Sequence, residues 1–247
     1  MRWTDRAVIT SIKPFGEKGK IVTCLTENYG LHKGLLKRSS FMQAAQPGTI
    51  THVTWTGRLR EHLGAWTFEP FHHPMALLLD APLPLAALSA ACGLIEVTIP
   101  ERENVSGAFE ILETCVRQMT HSHEKECWKT AYIQYERLLL ALMGFQLKLD
   151  VCAVTGLSHD LTYISPKSGK AVSSDVGKPY HDKLMPLSPA LTGKSYILKE
   201  FYQALQILGY FLDTFILQPH GTKLPPSRDR FLSAVHRSIA KRAIPLE

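Results

Sequence analysis

Val151-Cys152-Ala153-Val154-Thr155-Gly156 opens a stretch that runs through Leu161-Thr162-Tyr163-Ile164-Ser165-Pro166-Lys167-Ser168-Gly169 to Lys170-Ala171-Val172-Ser173-Ser174-Asp175-Val176. Its outline is that of a zinc ribbon, with two knuckles, short apolar strands and a glycine turn. A structural ribbon surrounds one tetrahedral ion with four thiolate or imidazole ligands. Here the first knuckle presents Cys152 and Thr155, and the second falls at Ser173 and Val176. One thiol among those positions cannot hold zinc. The knuckle Gly156, the apolar strand residues and the Ser168-Gly169 turn are all in place. The stretch therefore reads as a zinc-free ribbon, kept in shape by packing and hydrogen bonds, with no metal and no cofactor.

Working outward, Pro179, Pro186 and Pro189 bar a long helix beyond the knuckles, so the insert occupies about 151–186. Helical periodicity flanks it. Pro84 to about Thr98 is rich in Ala and Leu, and a second helix is expected from about Ser106, as N-cap, to Met119. A third runs from about Glu124 to Met143, with Trp128, Ala131, Tyr135, Leu138 and Leu142 on one face and Gly144 ending it. Helices resume at about 195–217 and 226–242.

The first seventy residues read differently. Ala7 to Lys13, Lys20 to Thr26, Gly30 to Leu36, Thr49 to Thr56 and Trp66 to Phe71 are short β-type runs, separated by the Gly16-Glu17-Lys18-Gly19 and Pro47-Gly48 turns. Five short strands suit a small closed barrel, because closure removes exposed edges. Strand spacing alone does not separate an oligonucleotide-binding (OB) fold from an SH3-like barrel. The expected class is α+β: a barrel over 1–80, then a helical domain over 81–247 that carries the ribbon.

Charge is unevenly placed. The chain of 247 residues has formal net charge +6 and pI near 9.0. Residues 1–71 hold ten Lys/Arg against five Asp/Glu, residues 81–150 six against nine, and residues 151–247 twelve against seven. Two basic ends around an acidic middle favour a polyanionic partner. Hydrophobic content of 45% excludes global disorder. Met1-Arg2-Trp3-Thr4-Asp5 lacks the apolar core of a signal peptide, and Cys24, Cys92, Cys115, Cys127 and Cys152 are odd in number and scattered. The reading is a reduced, cytoplasmic protein. Lys199, Glu200, Gln203, Gln206 and Asp213 break the run from Tyr196 to Leu217, so no membrane span is expected.

The knuckle at 152–156, with Tyr163-Ile164-Ser165-Pro166-Lys167-Ser168-Gly169-Lys170-Ala171-Val172-Ser173, resembles the central insert of the RecO family of bacterial recombination mediators. Arg6-Ala7-Val8-Ile9, Gly16 to Thr23 and Tyr29 to Arg38 resemble that family's N-terminal domain. Gly209-Tyr210-Phe211-Leu212 and Leu224-Pro225-Pro226-Ser227-Arg228-Asp229-Arg230 resemble its C-terminal helices. The resemblance implies an OB fold for the barrel and a non-enzymatic role in homologous recombination and gap repair. It implies binding of single- and double-stranded DNA, annealing of complementary strands, engagement of the C-terminal tail of the single-stranded-DNA-binding protein (SSB), and action with RecR to load RecA. Such a protein is nucleoid-associated. Participation of RecF is left open. Zinc-bearing members of the family differ from this chain at Thr155, Ser173 and Val176.

Candidate nucleic-acid contacts follow from charge and aromaticity, since cations neutralise phosphates and rings stack on bases. In the barrel they are Arg2, Arg6, Lys13, Lys18, Lys20, Lys33, Lys37, Arg38, Arg58 and Arg60, with Trp3 and Phe15 as stacking rings. Lys33, Lys37 and Arg38 bracket an expected loop after the third strand. On the last helix Arg230, Arg237 and Lys241 share a face opposite Leu232, Val235 and Ile239. Lys129 and Arg137 are scattered cations able to receive an acidic, apolar-ended peptide.

Catalytic signals are poor. Neither a Gly-x-x-x-x-Gly-Lys-Ser/Thr loop nor a Gly-x-Ser-x-Gly elbow occurs. Gly156-Leu157-Ser158-His159-Asp160 reads as a turn, because triads are assembled in space. His121, His123 and Cys127 offer three ligand types around a helix start but no fourth, and His72-His73 reads as linker. Three alternatives stand beside the mediator reading: a generic RNA-binding module, a protein adaptor without strand-annealing activity, and a hydrolase dependent on His159 or Asp160.

Overall fold

Strand β1 (Arg2–Phe15) is followed by β2 (Gly19–Thr26), β3 (Gly30–Leu36), β4 (Ile50–Thr56) and β5 (Gly64–His72). The computed structural model describes residues 1–17, 19–36, 45–59, 62–121 and 127–242. The strands close in the order β1-β2-β3-β5-β4, with β3 and β5 parallel and the other neighbours antiparallel. This is the OB-type barrel. β1 is longer than its apolar run foretold, because its first half pairs with β4 and its second half with β2.

Three indoles fix the register. Trp3 pairs with Trp55 across β1–β4, and Trp55 with Trp66 across β4–β5. All three point inward, at 8%, 1% and 5% exposure. A slip of one residue would turn the whole row to water. Trp66 Nε1 donates to the carbonyl of Val22 at 3.0 Å, and Trp55 Nε1 to that of Lys33 at 3.2 Å. Each buried indole N–H is thereby satisfied.

The chain groups into two compact units. One holds residues 1–132 with 225–231, and the other 133–224 with 232–247. In the first, helices α1 (Pro82–Thr98) and α2 (Ala108–His121) pack on the barrel. The helix expected at Ser106 begins two residues later, after Gly107 takes φ +91. The Cys92 thiol donates to the carbonyl of Ile9 at 3.8 Å, and the backbone N–H of Arg102 to that of Leu31 at 2.8 Å. Helix α3 (Cys127–Leu142) runs from the first unit into the second. Leu138, expected on its apolar face, is exposed instead.

The second unit carries the ribbon: β6 (Leu161–Ile164), β7 (Ala171–Ser173) and β8 (Met185–Pro186), ordered β7-β6-β8. Helix α4 (Leu198–Phe211) passes into wider π turns at Leu212–Leu217, where Phe145 stacks on Phe211 and Phe215 at 5.2 and 4.2 Å. Helix α5 (Pro226–Arg242) begins in the first unit and ends in the second. Among the described residues, no helix is long and apolar enough to cross a membrane.

One ion cluster ties β1 to α2. The Glu113 carboxylate accepts from Arg6 and from Arg117, whose Nη2 lies at 2.8 Å. Partial burial pushes its carboxyl up, but hydrogen bonds from Arg117 and Arg6 and their charges outweigh this and hold it below its usual value near 4.5. A depressed carboxyl stabilises the fold above its unfolded pKa, and that stability is lost as pH falls through the folded value. Both arginines are about one-third exposed, so water screens the cluster. We expect Glu113→Gln to cost about 1 kcal/mol at pH 7 and to flatten the stability profile below pH about 4.5. Urea melts at pH 7 and pH 3.5 check this; equal losses at both would remove the cluster from the account.

Candidate nucleic-acid interface

Outward positions alternate with the indole row, and one row of them crosses the barrel wall. Register places Arg2 opposite Thr56, Thr56 opposite Ala65, Ala65 beside Leu35, Leu35 opposite Ile21, and Ile21 opposite Lys13. The row starts and ends on β1, so its roughly 24 Å, at about 4.8 Å per strand, winds once around the closed barrel, and a short run of nucleotides covers one arc of it.

Cations stand at both ends of the row. Arg2 and Arg58 are exposed at one end, Arg58 in the connection between β4 and β5. Lys13 is exposed at the other. Beside it Phe15, 49% exposed, ends β1 opposite Gly19, and Lys20 lies half-buried opposite Pro14. The middle of the row is apolar: Ala65, Leu35 and Ile21. Sequence reasoning named the cations but missed this apolar middle, which carries neither charge nor ring.

Several other candidates have structural partners. Trp3 is a correction: Tyr29 stacks on it at 4.1 Å and Trp55 at 5.7 Å, with Trp66 and His32 at its edges. A ring so enclosed belongs to the core and offers no base-stacking face. Arg6 is engaged by Glu113 and by Glu27 at 3.6 Å, and sits over the Phe109 ring at 5.2 Å. Lys33 lies within β3, not in the loop after it, and pairs with Glu101 at 2.7 Å. Lys18, Lys37, Arg38 and Arg60 lie outside the described residues. Arg230, Arg237 and Lys241 are exposed on α5, the first in one unit and the other two in the second. Lys129 is buried, which removes it from the surface cations.

The ribbon positions do come together. The backbone N–H of Ser173 donates to the Cys152 sulfur at 3.3 Å, and the Ser173 hydroxyl lies at 3.4 Å from it. The knuckle closes as the N–H of Gly156 donates to the Cys152 carbonyl at 3.0 Å. Hydrogen bonds from the Ser173 and Thr155 side chains pull the Cys152 thiol down to about 6, against burial. Val176 sits half-buried in a helical turn and has no donor atom. Two hydroxyls, one thiol and an isopropyl group do not fit zinc. Among the described residues no three His, Cys, Asp or Glu side chains gather around one point. The sulfur instead serves as the hydrogen-bond hub of the knuckle.

We expect metal analysis to find no stoichiometric zinc, and a chelator to leave the melting temperature unchanged. Cys152→Ala, which orphans the Ser173 N–H, should cost about 1–3 kcal/mol, and Cys152→Ser less. One zinc per chain would overturn this account of the ribbon.

The charged turn is equally plain. His159 Nδ1 lies 3.1 Å from Asp160, and both are exposed. Among the described residues no hydrogen bond joins the Ser158 hydroxyl to the His159 imidazole, so no relay of the triad type is formed.

Comparison with known proteins fits this geometry. A family model described as the N-terminal domain of recombination protein O matches residues 1–72, and one described as its C-terminal domain matches residues 81–224. A Caulobacter vibrioides protein named DNA repair protein RecO is 39% identical over 92% of this chain and 95% of its own length. Proteins of the same name from Rhodospirillum rubrum and a Ruegeria species are 35% and 32% identical, over 96% and 97% of this chain and 97% and 100% of theirs.

Proposed function

The chain belongs to the RecO family, whose role is DNA repair and recombination, and from that premise we propose that it is a binding protein that anneals DNA strands and helps load recombinase. Single- and double-stranded DNA are its ligands. The observation that carries this reading is the outward row across the barrel, with Arg2 and Arg58 at one end and Lys13 and Phe15 at the other. Phosphates meet the cations and bases meet the ring and the apolar middle. Annealing needs two polyanions held on one molecule. The barrel supplies one surface, and the exposed Arg230, Arg237 and Lys241 are the candidates for a second.

Protein partners complete the proposal: the SSB tail, RecR and, through them, RecA. In the second unit, Arg137 donates to the Leu191 carbonyl at 3.0 Å and lines a cavity of about 600 Å³ with Leu149, Leu161, Leu187 and Lys194, and with the carboxylates of Asp150 and Asp160. Arg137 and Lys194 beside aliphatic side chains favour an acidic peptide with an apolar end, such as the SSB tail, while Asp150 and Asp160 oppose it.

The test is annealing of labelled complementary strands, bare and coated with SSB. We expect acceleration of both, and capture of a synthetic SSB-tail peptide that weakens in Arg137→Ala. Preference for RNA, with no affinity for the tail, would instead support a generic RNA-binding module. A measured hydrolytic turnover abolished by His159→Ala would overturn the non-enzymatic reading.

A further inference from the structure

At the Arg2 end of the outward row the barrel wall is indented. The notch encloses about 580 Å³ and is lined by Met1, Leu35, Arg58, Leu63, Gly64 and Ala65 among others. Met1 and Leu63 are 60% and 45% exposed, and Leu59, nearby in sequence, is 54% exposed. So much aliphatic surface beside two exposed arginines has the character of a binding surface.

Its floor is made by glycine. A Cβ at Gly64 would meet the Trp55 indole at 2.2 Å, and one at Gly57 would meet it at 2.3 Å. Trp55 fills the interior space that either side chain would occupy, so both positions are held to glycine and the indole packs directly beneath the floor of the notch. The walls are Leu35 and Ala65, brought side by side by the single parallel pairing of the barrel. Arg58 stands on the rim.

We propose that this notch seats one unstacked base of a single strand, with the adjoining phosphates held by Arg58 and Arg2. The proposal rests on the DNA-binding reading above. Charge complementarity selects the occupant. The cations flanking the notch want a polyanion, the walls want an apolar face, and a single-stranded nucleic acid presents both within one nucleotide. A duplex hides its base faces in the stack and contributes only phosphates. Aliphatic walls carry no hydrogen-bond code, so the seat accepts any base. It adds a second non-ionic, strand-state-sensitive contact to the one made by the Phe15 ring.

The experiment is anisotropy titration of the full chain with three labelled probes of equal length: oligothymidylate, the matching abasic oligomer, and a duplex. The abasic oligomer keeps the phosphates and lacks the bases. The natural chain should bind oligothymidylate about tenfold more tightly than the abasic oligomer. Leu63→Ser should reduce that difference by the share of the notch, the Phe15 ring supplying the rest, and leave abasic and duplex affinity and the salt slope in place. Unchanged thermal melting would show the variant folded, as expected at a half-exposed position. As a second variant, Leu63→Trp should gain indole fluorescence that oligothymidylate quenches and the abasic oligomer does not.

Equal affinity of the natural chain for oligothymidylate and the abasic oligomer overturns the base seat while leaving the DNA interface standing. So does a Leu63→Ser variant with unchanged preference; the notch would then suit an apolar side chain of a protein partner. Binding of none of the three probes removes the DNA-binding reading itself.

Discussion

Changing Arg2, Lys13 and Arg58 together to alanine should lower affinity for single-stranded DNA on the order of 100-fold at low salt and flatten its salt dependence. The reason is counterion release. Each phosphate neutralised on a single strand contributes about 0.7 to the slope of log affinity against log salt. Removing three contacts should therefore reduce the slope by about two. These side chains are exposed and border the outward row at both ends, so their loss leaves the indole core untouched. Anisotropy titrations from low to physiological salt, beside a melting curve for each protein, give the result. An unchanged slope would move the phosphate contacts off this wall, and the basic face of α5 would become the leading candidate. By contrast, Arg6→Ala should act on stability more than on the slope, because Arg6 is engaged by Glu113 and Glu27.

The second large effect is on stability. Trp3→Ala should cost about 4 kcal/mol and lower the barrel's transition by roughly 10 °C. Trp3 is 8% exposed, with rings stacked on both faces and two more at its edges. Truncation leaves a cavity among groups that cannot collapse onto it, since Trp55 and Trp66 are each tethered by an indole hydrogen bond. The folded fraction should keep its affinity for DNA. Calorimetry and anisotropy on one preparation separate the outcomes. Unchanged stability with a large loss of affinity would return Trp3 to the role of stacking ring.

Much of the architecture was legible because its signals are local. Short β-type runs between turns marked the strands, and the Gly16 to Gly19 turn marked the first hairpin. The ribbon could be read down to its missing ligands, because a knuckle is a short contiguous motif. The helix starts were less legible. Ser106 is a good capping residue, yet Gly107 turned the chain with a left-handed φ and the helix began at Ala108. Leu138 was placed on an apolar face by spacing, although spacing does not say whether anything covers it.

The candidate interface divides along the same line. Arg2, Lys13, Phe15 and Arg58 could be picked out by residue type, and they are exposed. Arg6 and Lys33 have the same residue chemistry and different surroundings, with a carboxylate against each. Nothing within a few positions of Arg6 announces Glu113, which is 107 residues away.

By itself, then, the sequence determined the order of barrel, helices and ribbon, the basic character of the N-terminal domain and the loss of the ribbon's zinc ligands. All of these follow from residue type and short-range period. Only the tertiary structure decided which cations remain available, that Trp3 is core, and that an apolar notch lies beside Arg58. Those depend on closure of the sheet, which sets Leu35 of β3 against Ala65 of β5 and seats Trp55 under Gly57 and Gly64. Such neighbours are fixed by long-range register and packing, which no local pattern of residues records.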